Sequence, residues 1–134
     1  MKQPKAEARR WLTQAESDLA FAEVGLREGF FAQACFVCQQ AGEKGLKALC
    51  YLRGDRIVLG HSLVELLATL ARTHAVGAEI REGAQQLDQY YVPTRYPNGL
   101  PGGVPAEVFT RRQAEEAVEI AGRILAFARA AIGR

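Results

Sequence analysis

The sequence is poor in the residues that build metal sites, disulfide frameworks and membrane spans. Its two histidines lie far apart, and no paired arrangement of metal ligands such as H-E-x-x-H is present. Its three cysteines are an odd number, which is typical of a reducing compartment. No apolar run approaches the length of a membrane span, and the first residues lead into a charged segment instead of the apolar core of a signal peptide. We therefore expect a cytoplasmic protein with no metal site and no contact with a membrane.

The sequence also lacks an excess of charge of one sign. Its 17 basic and 15 acidic residues leave a formal net charge of +2. This balance excludes a protein that binds nucleic acid through overall positive charge, but it does not exclude a local basic patch. A chain of 134 residues that is 49% hydrophobic and 24% charged is typical of a globular protein, and we expect residues 1–134 to form a single domain.

Cys35 and Cys38 form a C-x-x-C pair, a spacing that occurs in metal and redox sites. Both lie inside an apolar helical stretch, no second pair follows, and no βαβ pattern precedes them. This context favours cysteines that are buried and pack as small hydrophobic side chains.

Helical periodicity runs through almost the whole chain, and no strand pattern is present. It predicts helices over about 5–27, 31–52, 63–74 and 78–91, and a long irregular segment over 92–109. A final helix begins near Thr110, which forms a capping box with Gln113, and Ser62 is the predicted N-cap of the third helix. The expected fold is all-α: an antiparallel (up-down) four-helix bundle with an additional short helix.

The second predicted helix carries the densest polar cluster of the chain. At about 100° per residue, one face of this helix holds Gln40, Glu43, Lys44 and Lys47. Two interpretations are open for this polar face. It is either a solvated surface with a Glu43–Lys47 helix pair, or a surface that binds a phosphate or a partner protein. The opposite face is small or apolar, which lets a neighbouring helix approach closely; it holds Ala34, Cys38, Ala41, Gly45, Leu49 and Leu52.

Two further groups of residues are candidates for a site. His61 precedes the N-cap of the third helix, and it either packs at the end of the bundle or takes part in catalysis. Asp88, Tyr91, Arg95 and Tyr96 follow one another at the end of the fourth helix, where Arg95 lies within reach of Asp88 if the chain turns back. Aromatic rings beside an arginine either stack a base and hold a phosphate, or attach the long segment to the bundle.

Taken together and in this order, four groups of residues resemble the HEPN domain. The groups are Trp11 with Asp18-Leu19, then Phe36 with Gln39-Gln40-Ala41-x-Glu43-Lys44-x-Leu46-Lys47-Ala48, then His61-Ser62-Leu63, and then Asp88-x-x-Tyr91-x-x-x-Arg95-Tyr96-Pro97. The resemblance covers nearly the whole chain. It implies a mostly antiparallel bundle of five helices that is commonly a dimer.

The resemblance also implies a function. Small stand-alone HEPN proteins are often encoded beside a minimal nucleotidyltransferase and act with it, in pairs that look like toxin–antitoxin systems. For this chain it implies a homodimer or higher oligomer, this partner protein, and a nucleotide such as ATP as ligand, with no other cofactor. Lys44, Lys47 and Arg95 would bind phosphates, and Tyr91 or Tyr96 would pack against the base. The positions that match the family are Gln40, Glu43, Lys44, Lys47, His61, Asp88, Tyr91, Arg95 and Tyr96.

One motif of the family is missing. HEPN ribonucleases carry R-x4-6-H near the start of the last long helix, whereas here Arg111 and Arg112 are followed by no histidine. We therefore do not transfer the ribonuclease site of the family to this chain. Two alternatives stay open. One is a metal-independent ribonuclease toxin that acts on RNA, with His61 as general acid and base and Arg56 or Arg95 on the phosphate. The other is a non-catalytic interaction module.

Overall fold

The computed structural model of the chain describes residues 3–133, which form an all-helical bundle. Six α-helices follow one another: α1 is Pro4–Arg27, α2 is Phe31–Leu52, α3 is Leu63–Leu70, α4 is Ala78–Asp88, α5 is Pro105–Val108 and α6 is Arg111–Ile132. A single 3-10 turn lies at Pro97–Gly99, and no β-strand is present among these residues. The long helices α1, α2 and α6 pack on one another, α3 packs on α2 and α4, and α4 packs on α2 and α6. The predicted antiparallel four-helix bundle with an additional short helix is confirmed.

The helix starts follow the local signals in the sequence. Ser62 is the N-cap of α3 and accepts a hydrogen bond from the backbone N–H of Glu65 at 3.1 Å. Thr110 and Gln113 form the predicted capping box at the start of α6. Both caps give partners to backbone donors that the first helical turn leaves unpaired.

Three predicted boundaries were wrong. The third helix ends at Leu70 and not at His74. The residues after Leu70 form turns, in which the N–H groups of Thr73 and His74 both donate to the Leu70 carbonyl. The fourth helix ends at Asp88 and not at Tyr91, since the chain there passes into a turn. The segment 92–109 is not wholly irregular, because it contains the 3-10 turn and α5.

Helix α2 is the central element, because it contacts α1, α3, α4, α5 and α6. Its two interior glycines permit this crowding. A Cβ atom at Gly42 would lie 2.7 Å from Leu63 Cδ2, and one at Gly45 would lie 2.5 Å from Leu125 Cδ2. Both separations are shorter than packed carbon atoms adopt. The small residues therefore let α3 and α6 approach the backbone of α2.

None of the described helices is both long enough and apolar enough to cross a bilayer.

Candidate functional site

Glu43 is the centre of a buried polar cluster on α2. Its carboxylate lies 3.0 Å from Nζ of Lys47 and accepts a hydrogen bond from Nε2 of Gln39 at 3.3 Å. It also lies 3.2 and 3.3 Å from Nδ1 of His61, which enters from the start of α3. Glu43, Lys47 and Gln39 are buried. A buried carboxylate needs such donors, because its charge is costly to remove from water.

His61 connects this buried cluster to the surface. Its ring stacks on Tyr91, with centroids 4.8 Å apart and an interplanar angle of 19°. The side chain is 57% exposed. Since a carboxylate only accepts hydrogen bonds, Nδ1 carries the proton that points to Glu43. The other ring nitrogen, Nε2, makes no hydrogen bond to any described residue.

Arg95 lies on the other aromatic residues of this region. Its guanidinium carbon is 4.6, 4.4 and 5.0 Å from the ring centroids of Phe36, Tyr91 and Tyr96. Its Nε donates to the carbonyl of Tyr91 at 2.6 Å. No carboxylate within residues 3–133 pairs with it, so its terminal nitrogens are held in place by rings and not by charge.

Asp88 has a structural role that the sequence did not predict. It does not pair with Arg95. Its carboxylate accepts from Ser62 Oγ at 2.7 Å, from the Leu63 N–H at 2.7 Å and from the Val64 N–H at 3.2 Å. The negative charge thus lies at the N-terminus of α3, where the helix dipole favours it. Asp88 fixes the end of α4 against the residue that follows His61.

The polar face of α2 is not the solvated surface of the first interpretation, but the Glu43–Lys47 helix pair that this interpretation included is present. Glu43 and Lys47 are buried, and Lys44 is half-buried in an ion pair with Asp18 of α1, with 2.6 Å between Nζ and Oδ2. Gln40 turns its amide to Gln39 Oε1 at 2.8 Å. The helix is surrounded by neighbours on this side as well, which no single-helix projection reveals.

The predicted residues therefore divide into two sets. Glu43, Lys47, His61, Tyr91 and Arg95 form a connected cluster, with Tyr96 at its exposed edge. Lys44 and Gln40 lie toward α1, Asp88 supports α3, and Arg56 is exposed in the connection before His61. We call the joined residues the His61–Arg95 cluster; it consists of Phe36, Gln39, Glu43, Lys47, His61, Tyr91, Arg95 and Tyr96.

Two members of this cluster were missed as site residues. Gln39 donates to the carbonyl of His61 at 2.9 Å, and Phe36 lies under the Arg95 guanidinium. Gln39 lies four residues before Glu43, so the two side chains share a helix face. This spacing is the sequence signal that could have identified Gln39 as a site residue. Phe36 belongs to the motif on which the family resemblance rests, but that motif did not mark it as a site residue, because an aromatic residue in a helix is ordinarily part of the core.

The cysteines play no part in this cluster. Burial, reinforced by the charge of Glu116, raises the pKa of the Cys35 thiol to about 12. Burial also raises the pKa of Cys38 and Cys50. Such thiols are poor nucleophiles and poor metal ligands at neutral pH. Among the described residues, no three His, Cys, Asp or Glu side chains come together in a way that holds a metal ion.

The cluster combines three chemical properties. It has a guanidinium without a carboxylate partner among the described residues, an imidazole whose Nδ1 faces a buried carboxylate, and partly exposed aromatic rings. The guanidinium suits an anion with several oxygen atoms, and the imidazole suits proton exchange or hydrogen bonding. The aromatic rings suit a flat ring of a ligand.

Comparison with known families identifies the same architecture. A model of the HEPN domain matches residues 8–131. No curated protein matches the chain.

Solved structures agree with this match. A protein from Thermus thermophilus is 46% identical, with a TM-score of 0.87, over 91% of this chain and 95% of that chain. An archaeal HEPN homologue is 34% identical, with a TM-score of 0.79, over 99% and 100% of the two chains. A HEPN domain protein from Thermotoga maritima is 30% identical, with a TM-score of 0.76, over 93% and 98%.

Proposed function

The chain belongs to the HEPN domain family, and on this premise we propose that it binds a nucleotide at the His61–Arg95 cluster and acts with a minimal nucleotidyltransferase as partner. In this proposal the protein itself catalyses no reaction. The pair would form a two-component system of the toxin–antitoxin type.

Arg95 carries the proposal. Its guanidinium is fixed by three aromatic rings and one backbone carbonyl, and no described carboxylate neutralises it. A guanidinium in this state retains donors for phosphate oxygens at little further cost in side-chain entropy. Lys44 and Lys47 are each paired with a carboxylate instead. We therefore assign the first phosphate contact to Arg95, and contacts from the lysines would require these pairs to open.

The aromatic residues supply the second half of a nucleotide site. Tyr96 is 50% exposed, and the Arg95 guanidinium lies against its ring. A base stacked on such a ring gains energy whatever its identity, about 1 to 3 kcal/mol in proteins that bind single strands. We propose that Tyr96 stacks the base and that Tyr91 packs against both His61 and Arg95.

Calorimetry tests the nucleotide site. We expect the wild-type protein to bind ATP, and Arg95→Ala to weaken binding at least about tenfold through loss of a charge-assisted contact. Arg111→Ala is the matched control, because Arg111 also lies over a phenylalanine ring, at 4.9 Å from Phe31, but outside the cluster. Tyr96→Ala should lower the affinity for ATP to a value close to the affinity for tripolyphosphate, which has no base to stack on Tyr96. Absence of ATP binding at millimolar concentration, with and without the partner, would contradict the proposal.

The partner is tested separately. We expect the protein to co-purify with a minimal nucleotidyltransferase encoded beside it. When the two proteins are expressed together, one of them should reduce the growth defect or the activity that the other shows when it is expressed alone. Independent elution of the two co-expressed proteins in size-exclusion chromatography would contradict the two-component part and leave nucleotide binding unaffected.

A second candidate function rests on one observation. The Glu43 carboxylate faces Nδ1 of His61, while Arg95 contacts the same Tyr91 ring as His61 does. In a metal-independent ribonuclease, Nε2 of His61 would accept the proton of a ribose 2′-hydroxyl as its oxygen attacks the phosphorus. The 5′-oxygen would leave with the proton that Nε2 of His61 had accepted, and Arg95 would stabilise the phosphorane charge.

RNA cleavage in the presence of EDTA decides between the two functions. The ribonuclease candidate requires cleavage that disappears in His61→Ala and falls strongly in Arg95→Ala. Cleavage that persists in His61→Ala would reject this role for His61. A chain that binds ATP and cleaves no RNA supports the first proposal.

A further inference from the structure

We infer that the proposed phosphate site takes up a proton with its ligand, and that Gln39 and Glu43 are positioning residues that hold His61 ready to bind a terminal phosphate dianion as an imidazolium. This inference rests on the proposed nucleotide function. It adds the charge state of the ligand and a link between binding and pH.

The geometry around His61 fixes which nitrogen meets the ligand. The carboxylate of Glu43 lies 3.2 and 3.3 Å from Nδ1, so Nδ1 is a donor in either protonation state. Nε2 lies on the other side of the ring and makes no hydrogen bond to any residue among 3–133. With 57% of the side chain exposed, Nε2 is the polar atom of His61 that is available to a ligand.

Gln39 fixes the same residue through its backbone. Its side-chain amide donates to the His61 carbonyl at 2.9 Å and to Glu43 Oε1 at 3.3 Å, and the side chain is completely buried. Because it is not exposed, Gln39 cannot contact a ligand on the surface. Its effect on binding must pass through the position of His61 and Glu43.

A neutral His61 is unsuited to a phosphate dianion. With the hydrogen on Nδ1, a neutral ring presents a lone pair at Nε2, and the oxygens of a dianion also present only lone pairs. A second proton on the ring resolves this repulsion, since Nε2–H then donates to the phosphate and Nδ1–H donates to Glu43. Binding therefore brings one proton from solvent when it starts from the neutral ring.

Four charged groups on the neighbouring elements lie around His61. From α2, His61 faces the Glu43–Lys47 pair, whose charges largely cancel. From the segment after α4, it faces Tyr91, with Arg95 on the same ring as a cation that opposes a second positive charge. Asp88 of α4 is directed to the amides of α3. A phosphate dianion bound at Nε2 would place a negative charge beside the protonated ring.

The predicted ligand class is therefore a phosphate monoester and not a diester. A monoester is largely a dianion above a pH of about 6, whereas a diester keeps a single charge. AMP and 3′,5′-cyclic AMP make a matched pair of probes with the same base and sugar. A 5′-phosphorylated RNA tetranucleotide, compared with its 5′-hydroxyl form, distinguishes an RNA end from a free nucleotide as the source of the phosphate.

Calorimetry of AMP binding in buffers of different ionisation enthalpy measures the proton. We expect AMP binding to take up a proton from the buffer, and the affinity for AMP to fall as pH rises, by up to about tenfold for each pH unit. Cyclic AMP should bind more weakly and with a smaller pH dependence. His61→Asn should remove the uptake and the preference for AMP.

His74→Asn is the matched control. His74 is the second histidine of the chain, and its Nδ1 lies near Thr73 Oγ1 and the Leu70 carbonyl, outside the cluster. Proton uptake and AMP affinity should stay as in the wild-type protein.

A second set of variants tests the positioning residues. Glu43→Gln combined with Lys47→Met removes the buried ion pair without leaving either charge unpaired, and it should weaken AMP binding because Nδ1 of His61 loses its carboxylate acceptor. Gln39→Met should weaken AMP binding while some pH dependence remains. Circular dichroism confirms that each variant is folded before it is titrated.

Three outcomes would overturn the inference and leave the proposed function intact. These are AMP binding without proton uptake, uptake that is unchanged in His61→Asn, and equal affinity for AMP and cyclic AMP. If neither AMP nor ATP binds, the proposed function itself falls, and the inference falls with it.

Discussion

At the scale of the residue, burial decides what each charge of the polar cluster does. Lys44 and Lys47 are three positions apart and are alike in sequence terms. Lys47 forms its ion pair in the interior, with both side chains less than a tenth exposed, whereas the Lys44–Asp18 pair is nearer to water. A buried ion pair contributes little to the free energy of unfolding. Removal of one member is costly, because it leaves the other charge unpaired in the protein interior.

The two lysines should therefore differ in their effect on stability. We expect Lys47→Met to lower the free energy of unfolding by about 3 kcal/mol, because Glu43 would keep its charge without its main counterion. Lys44→Met should lower it by about 1 kcal/mol or less. Urea denaturation of both variants at pH 7 makes the comparison, and equal losses would contradict the assigned difference in burial.

The thiols provide a second prediction at this scale. An unperturbed thiol has a pKa near 9.0, and burial raises that of Cys35 to about 12. Above a pH of about 9 the unfolded chain releases a proton that the folded chain still holds, so the free energy of unfolding falls as pH rises. We expect this fall to be smaller in Cys35→Ala, measured by urea denaturation between pH 9 and about pH 11.

The control for the thiol prediction is Val118→Ala. This substitution removes apolar contacts from α6 and leaves the thiols in place. Its unfolding free energy should be lower at every pH but should decline with the wild-type slope. An unchanged slope in Cys35→Ala would mean that the thiol does not contribute.

At the scale of the element, α2 is a helix that is buried nearly all round. Small residues on one side and a paired polar cluster on the other let five helices contact it. The asymmetry of the sequence pattern suggested one packed face and one open face. The actual helix has no open face at its centre, because the polar side chains satisfy one another and the start of α3.

Two glycines test the close packing of the helices. Gly45→Ala should destabilise the protein by about 1 to 3 kcal/mol, because the new methyl group would meet Leu125 at the α2–α6 contact. Gly122→Ala is the control, since its Cβ meets nothing within 4 Å. There the higher helix propensity of alanine should stabilise α6 by up to about 1 kcal/mol. Thermal and urea unfolding measure the stability of both variants. If Gly45→Ala stabilised the protein, Leu125 would have moved to accommodate the methyl group at little cost, and the expected clash would be contradicted.

At the scale of the whole molecule, an exposed apolar region lies where α1 meets α2. Phe21 and Phe30 are 66% and 56% exposed, and a cavity of about 330 Å³ lies among them with Val24 and Val37. Apolar surface of this kind is typical of an interface. Together with the common dimerisation implied by the family resemblance, it leads us to propose that this region contributes to a homodimer.

The dimer is tested by light scattering after size-exclusion chromatography. We expect the mass of a dimer for the wild-type protein and a shift toward monomer for Phe21→Gln combined with Phe30→Gln. Ile57→Gln is the control, because Ile57 is also highly exposed but lies after α2, at its opposite end. A wild-type protein that is monomeric at all working concentrations would contradict the proposal.

The start signals and the helix class followed from local sequence, whereas several ends did not. Ser62, Thr110 and Gln113 specify their caps through contacts within three or four residues, which a sequence pattern can express. The end of α4 is different, because the Asp88 carboxylate bonds to residues that are 24 to 26 positions away. Periodicity continues past that point, so it could not locate the boundary.

By itself, the sequence determined the all-helical class, the order of the long helices, the buried cysteines and the family. These properties depend on periodicity, capping and residue type, which are local. Only the tertiary structure decided that Glu43 is shared by Gln39, Lys47 and His61, and that Arg95 lies on aromatic rings from two segments. Such contacts depend on which helices become neighbours and on what they exclude from water, and neither is encoded at a fixed spacing along the chain.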